Sequence, residues 1–256
     1  MAEINWLYVG NGTALTKNGY GLCKTYVDPL NPLDLPAYTI RLQFTNGFTP
    51  RFTKGTAVRV SSSPNVWDLT YNNTSWYELL TDQTYLIAVL GANSSGVTNM
   101  NYMLDNCQNL ESVALFDTST VTTMIGMFEI CMKIRSVPHF NTSNVTNMSS
   151  AFRRCDNLIS VPLFDTHQVT DMYGMLSFCY SLTSVPLFDT SQVTDMRYIV
   201  NNCYAVEHGA LALYQQASTQ SVVPNHYQCF TNCGRDTVSG QAELAQIPQD
   251  WGGTMA

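Results

Sequence analysis

Five cysteines, Cys107, Cys131, Cys155, Cys179 and Cys203, fall at intervals of 24 residues. Such a thiol ladder could bind metal or form disulfides between stacked turns of chain, because backbones about 5 Å apart are within bridging reach. An odd five beside apolar columns also fits free cysteines buried as small hydrophobes. Cys229 and Cys233 with His226 suggest zinc, but a fourth ligand is missing and Cys233 belongs to the repeat column. His139 stands where sister repeats carry Leu163 and Leu187, whereas His167 and His208 follow no pattern. Asp117, Asn141, Asp165 and Asp189 stack in another column. That column could recruit calcium, although bonding of each side chain to its own backbone accounts for it without an ion. The glycosylation-like triplets at Asn72, Asn141 and Asn144 follow from turns rich in Asn and Thr. No nucleophile with its base, no carboxylate pair in an evident cleft and no phosphate-binding glycine loop is visible. The sequence therefore assigns no catalytic, cofactor-binding, metal-binding or specific ligand-binding residue, and it predicts a protein that is not an enzyme.

The elements that would position these residues are written in the same period. SVPLFDTHQVTDM from Ser160 returns from Ser184 with His167 replaced by Ser191 as its sole change. Val-Thr-x-Met occurs at Val97, Val121, Val145, Val169 and Val193, and Phe116, Phe140, Phe164 and Phe188 form a further column. A period of 24 lies in the leucine-rich range, where each unit is one turn of a solenoid. Leu158-x-x-Val161-x-Leu163 predicts a short strand, limited by Pro162, which has no amide to donate. DMYGMLSFC (Asp171 to Cys179) predicts a short helix, with Met172, Met175, Leu176 and Cys179 on one face. Thr98, Thr122, Thr146, Thr170 and Thr194 are its expected N-caps in successive units. One unit buries too little apolar surface to offset its ordering entropy, so the units must fold as a stack.

The expected fold class is therefore α/β, a leucine-rich-repeat solenoid of 24-residue repeats with short parallel strands plus short helices, preceded by a small β-rich N-terminal region. LIAVLGANSSGVTNM from Leu86 is a degenerate copy, which moves the start of the repeats back to Trp76. TIRLQF (Thr39 to Phe44) and GTAVRV (Gly55 to Val60) predict two strands before it. Four regions result: an arm or attachment segment over 1–36, a β-rich module over 37–75, repeats over 76–207, and a divergent terminal repeat with a cap over 208–256. In the last region Phe230-x-x-Cys233 and Leu244-x-x-Ile247-Pro248 repeat the motif at a looser spacing, and Trp251 is expected to seal the final turn.

A net charge of -7 argues against nucleic-acid phosphates or anionic membranes as partners, and no apolar run is long enough to cross a bilayer. MAEINWLYVGNG has neither the basic nor the apolar segment of a secretion signal, so export by that route is not expected. VTNM, FxxC and LxxVPLFDTS together resemble the BspA-like leucine-rich repeats of bacterial surface proteins, lipoproteins and phage-encoded proteins. The resemblance covers 76–207 closely and 208–256 loosely, and it implies adhesion or display and transfers no catalytic residue. AVRVSSSPNVWDL and LAQIPQDWGGT are similar to flanks of such repeats in phage proteins. The expected function is a virion protein, a head fibre, capsid decoration or tail-fibre component, or alternatively a bacterial surface adhesin or lipoprotein. Expected partners are virion proteins at the N-terminal region and a host-surface protein or glycan at the repeats, in a homo-oligomer located in the virion. The residues that vary between units, Arg153-Arg154 against Glu129-Ile130, Ser177-Phe178 and Asn201-Asn202, and Tyr180 and Tyr204 against Asp156 and Met132, suit recognition.

Overall fold

The computed structural model describes residues 35–255 and two short N-terminal strands, β1 (Leu7–Val9) and β2 (Thr13–Leu15), which pair antiparallel. Apart from these strands and residues 35 and 36, the arm expected over 1–36 lies outside the described residues.

TIRLQF forms β3 (Thr39–Phe44), buried along nearly its whole length, and GTAVRV lies within β4 (Thr56–Ser62) and the residue before it. A strand absent from the sequence reading, β5 (Asn65–Thr70), inserts between them. With β6 (Leu86–Asn93) and β7 (Ser112–Val113) the sheet order is β4-β5-β3-β6-β7, antiparallel except for the parallel β6-β7 pair. β3 is paired on both edges, by β5 and β6, and the burial of Thr39 and Arg41 beside Ile40, Leu42 and Phe44 shows that both of its faces are covered as well. Arg41 and Asp68, opposite each other across β3 and β5, form a bidentate ion pair with both arms at 2.7 Å. The sheet runs on into the repeats through β6, which pairs with both β3 and β7.

The expected α/β leucine-rich-repeat solenoid is corrected here. The regular structure is mostly sheet, open and mixed, and among the described residues there are two short α-helices, α1 (Ala210–Ser218) and α2 (Val238–Leu244), both after the regular repeats. The predicted repeat helices are chains of tight turns. Gly174 and Phe178 have φ of 58° and 63°, on the left-handed side that an α-helix excludes. Tyr102 with Asn106, Gly126 with Ile130, Ser150 with Arg154 and Tyr198 with Asn202 repeat this pair.

Alternate amides explain the geometry. Met172, Gly174, Leu176 and Phe178 donate to the carbonyls of Asp195, Arg197, Ile199 and Asn201 in the next unit, at 2.8–2.9 Å. Met175, Ser177 and Cys179 donate three residues back, closing turns within the unit at 3.0–3.2 Å. Two successive turns bring Met172, Met175, Leu176 and Cys179 to one buried face, which is why their spacing reads as helical.

Proline explains the missing repeat strands. Ala114 donates to the Val89 carbonyl at 2.8 Å and β7 forms beside β6. Pro138, Pro162 and Pro186 stand at the equivalent position and have no amide to donate. The threonines predicted as helix caps form a ladder instead. Amide and hydroxyl of Thr146 both donate to the Thr122 carbonyl, at 2.9 and 3.2 Å, and Thr170 repeats this on Thr146. Single parallel bridges join Ser75, Asn99, Thr123, Asn147, Asp171, Asp195 and Asn225 in turn. Consecutive units thus lie one upon another through hydrogen bonds rather than through regular strands.

At the C-terminal end, Gly209 (φ 98°) precedes α1 and offers no side-chain cap. The Glu243 carboxylate of α2 takes that place, accepting from the amides of Gly209 and Leu211 at 3.2 and 3.0 Å, where a helix favours negative charge. Trp251 is buried and stacks on His226 at 4.0 Å. Among the described residues no helix is long and apolar enough to cross a membrane.

Candidate functional site

The cysteine column is built into the core. Each of Cys107, Cys131, Cys155, Cys179 and Cys203 is fully buried, and its Sγ donates to the carbonyl 27 residues earlier at 3.0–3.2 Å. Burial raises the Cys203 thiol to about 12, outweighing an opposing hydrogen bond, and it raises Cys107, Cys131, Cys155 and Cys179 in the same direction. The thiolate fraction of Cys203 at neutral pH falls by about a thousandfold, which removes the nucleophile. All seven described cysteines, Cys229 and Cys233 included, are free. We expect iodoacetamide to leave these seven unmodified in the native protein and to modify them all in denaturant, as read by intact mass.

The remaining metal candidates do not converge. Cys229 donates to the Met196 carbonyl at 2.9 Å, while His226 Nδ1 lies 2.9 Å from the Pro224 carbonyl with its ring on Trp251. Among the described residues no group of three or more His, Cys, Asp or Glu side chains is arranged to hold a metal ion. In the acidic column, Oδ1 of Asp117, Asn141, Asp165 and Asp189 accepts the amide two residues on, at 2.8–3.3 Å. These bonds to Ser119 and Ser191 hold Asp117 and Asp189 below the usual carboxylate range, and His167, mainly through its side chain, does so for Asp165. His139 is exposed on the Leu163 carbonyl, and His208 faces Glu207 at 3.7 Å. Asn144 bonds the Ser119 carbonyl at 2.7 Å.

The turn chains create one continuous face whose chemistry changes along the stack. Its early part is acidic. Burial, then the carboxylates of Glu129, Asp82 and Glu78, raise Asp105 to about 6, and its Oδ1 is buried without a hydrogen-bond partner. A folded pKa above the unfolded one stabilises only while the group is protonated. The contribution is complete below about pH 4 and is lost as pH rises through about 6. Asp105→Asn should therefore stabilise the protein by about 1–2 kcal/mol near pH 7.5, discounted for partial exposure, and change little near pH 4. Urea unfolding at the two pH values checks this.

The later part of the face is aromatic and amide-rich. Tyr173, Tyr198 and Tyr227 form an edge-to-face row with ring centroids 5.6 Å apart at each step. Beside the row lies a groove of about 430 Å³, opened by Gly174 where the next unit carries Tyr198. Its floor holds Ser177 and Asn201, 2% and 4% exposed. Both donate over a long 3.4 Å, Ser177 Oγ to the Asn201 carbonyl and Asn201 Nδ2 to the Gln228 carbonyl. The flanking cations are already neutralised. Arg153 pairs with Glu129 at 2.7 Å, and Arg197, raised further by its Asp195 partner, lies over the Tyr173 ring. A larger depression of about 490 Å³ near Leu115 and His139 is less suited to a ligand. Its Asp117, Thr118 and Asn141 side chains are engaged in turn and inter-unit bonds.

Of the variable positions, Arg153, Ser177, Phe178, Asn201 and Asn202 meet at this groove. Tyr180 and Tyr204 stack separately at 5.2 Å, with Arg235 over Tyr204 at 3.8 Å. Tyr173, Tyr198 and Tyr227 were not legible in the sequence, because neighbours in the row occupy columns one residue apart.

The family described as "Mycoplasma protein of unknown function, DUF285" matches residues 81–160 and again 131–235, together more than half of the chain. The chain belongs to this family. No curated protein and no solved structure matches it.

Proposed function

We propose that this chain is a non-enzymatic display and adhesion protein whose stacked units present the turn face to a surface-borne ligand. The observation that supports this reading is the contrast within each unit. Buried columns repeat almost unchanged, whereas exposed positions of one face change from acidic to aromatic and amide-rich. Tyr and Arg in such a place are good contact residues. On the resemblance of the repeats, the setting is a bacteriophage virion, as a head fibre, capsid decoration or tail-fibre component, with the N-terminal region as attachment segment. A bacterial cell-surface adhesin is the second reading, favoured by a family described from a cellular organism.

Quantitative mass spectrometry of purified particles and of the washed surface fraction of producing cells separates the two. The chain is expected among particle proteins at a fixed ratio to the capsid protein. Its recovery from the cell surface alone, with none in particles, would overturn the virion reading. Failure of the purified chain to adhere to any host-cell or mucin surface would overturn both.

A further inference from the structure

We propose that the groove beside the tyrosine row is a binding site for a neutral oligosaccharide. This deepens the adhesion reading above and rests on it.

Three observations select the ligand. The first is the apolar wall. Tyr173 and Tyr198 line one side of the groove, and Tyr227 continues their edge-to-face row beyond it. Arg197 covers part of the Tyr173 ring, and the remaining exposed ring surface, 37% for Tyr173 and 55% for Tyr227, is the apolar contact area. The C–H face of a pyranose ring packs on such aromatic surface, and aromatic side chains bury large area with little conformational loss. The second is the polar lining. Ser177 and Asn201 at the floor, with Asn202 and Asn232 beside them, are uncharged groups that both donate and accept. Hydroxyls also do both. Asn202 Nδ2 donates to Asn201 Oδ1 and Asn232 Nδ2 to Asn202 Oδ1, so the capacity left for a ligand lies in the two long 3.4 Å bonds of Ser177 and Asn201, which a hydroxyl can replace. An apolar peptide side chain placed there would leave these buried groups unpaired, which strongly disfavours it.

The third is charge. Arg153, the one cation among the described lining residues, pairs with Glu129, and Arg197 over the Tyr173 ring pairs with Asp195, so this lining offers no free cation for a sulfate, phosphate or sialic acid. A groove of about 430 Å³ falls within the ~300–1,000 Å³ typical of small-ligand sites. The row also ascends the stack one unit at a time, so an extended chain of sugar rings can follow it.

The test is isothermal titration of the full chain with neutral tetrasaccharides built from glucose, galactose or N-acetylglucosamine, each to about 5 mM, the range that weak millimolar binding requires. Binding of at least one is expected. Tyr173→Ala and Tyr227→Ala, both at exposed rings, should weaken it about tenfold or more with unchanged thermal midpoint. Tyr77→Ala, at an exposed ring on the acidic part of the same face, should leave it unchanged. The sialylated or sulfated form of the same tetrasaccharide should bind no tighter.

Absence of binding by every tetrasaccharide overturns the proposal, as does binding insensitive to Tyr173→Ala and Tyr227→Ala. Preference for the anionic forms, or displacement of the sugar by a proline-rich peptide with higher affinity, overturns it too. Adhesion to host cells or mucin that survives both tyrosine changes would sink the groove while sparing the adhesion reading. Loss of adhesion and of sugar binding in the wild-type chain would sink both.

Discussion

Phe128→Ala is expected to lower stability by about 3–5 kcal/mol, the loss typical of emptying a fully buried aromatic site. Phe128 sits in the middle of a chain of rings, Phe116, Phe140, Phe128, Phe152 and Phe164, with successive centroids 5.0–6.2 Å apart. Its carbonyl also accepts the Cys131 amide at 3.2 Å and the Cys155 thiol at 3.1 Å, so the residue ties its own turn to the next unit. Leu104 and Leu176 occupy the same column and are fully buried. Phe128→Leu should accordingly lose only about 1 kcal/mol, because the column already accepts that volume. In a stack whose units contact only neighbours, a weak unit also divides the array. The alanine variant should therefore broaden the urea transition, as read by far-ultraviolet circular dichroism. Equal effects of the two substitutions would show that the column is not packed as described.

Gly240→Ala should destabilise the protein by about 2–3 kcal/mol, opposite in sign to helix propensity. Gly240 lies in α2, where exchanging glycine for alanine ordinarily gains about 1 kcal/mol. Here an added Cβ would overlap the Val206 carbonyl oxygen and stand 2.5 Å from both Cα and O of Gly234. All of these are backbone atoms, so no side chain can move aside. The close approach is used. Thr237 caps α2 by accepting from Gly240 at 3.0 Å and donates to the Val206 carbonyl at 2.7 Å, which docks the helix on the last regular unit. Differential scanning calorimetry against Gln241→Ala, an exposed neighbour, isolates the steric effect. A rise in melting temperature for Gly240→Ala would contradict the docking.

What could be read from the sequence was periodicity, and what could not was the path of the backbone between periodic positions. The buried columns were legible because each is a one-residue choice repeated every 24. The repeat helix was misread because i, i+3, i+4, i+7 spacing describes which side chains share a face, and two successive tight turns satisfy it as well as an α-helix. Eight non-glycine residues of these turn pairs at left-handed φ, such as Phe178 and Asn202, gave no local warning, since tertiary hydrogen bonds to the next unit hold them there. The strand was misread where Pro138, Pro162 and Pro186 remove the amide that Ala114 supplies. β5 escaped notice because its NVWDLT alternates weakly and follows β4 after only two residues. The groove was half legible. Its variable polar lining stood out between copies, whereas the tyrosine row depends on the turn geometry that places Tyr173 and Tyr198 together.

The central claim is that equivalent residues of successive 24-residue units lie one above another, each supported by its neighbour. Crystallographic location of the sulfurs by their anomalous scattering tests this most directly. Sγ of Cys107, Cys131, Cys155, Cys179 and Cys203 should form a single evenly spaced row, each about 5 Å from the next. Sulfurs scattered off a common line, or spaced unevenly along it, would contradict the stacking and remove the face on which the proposed recognition depends.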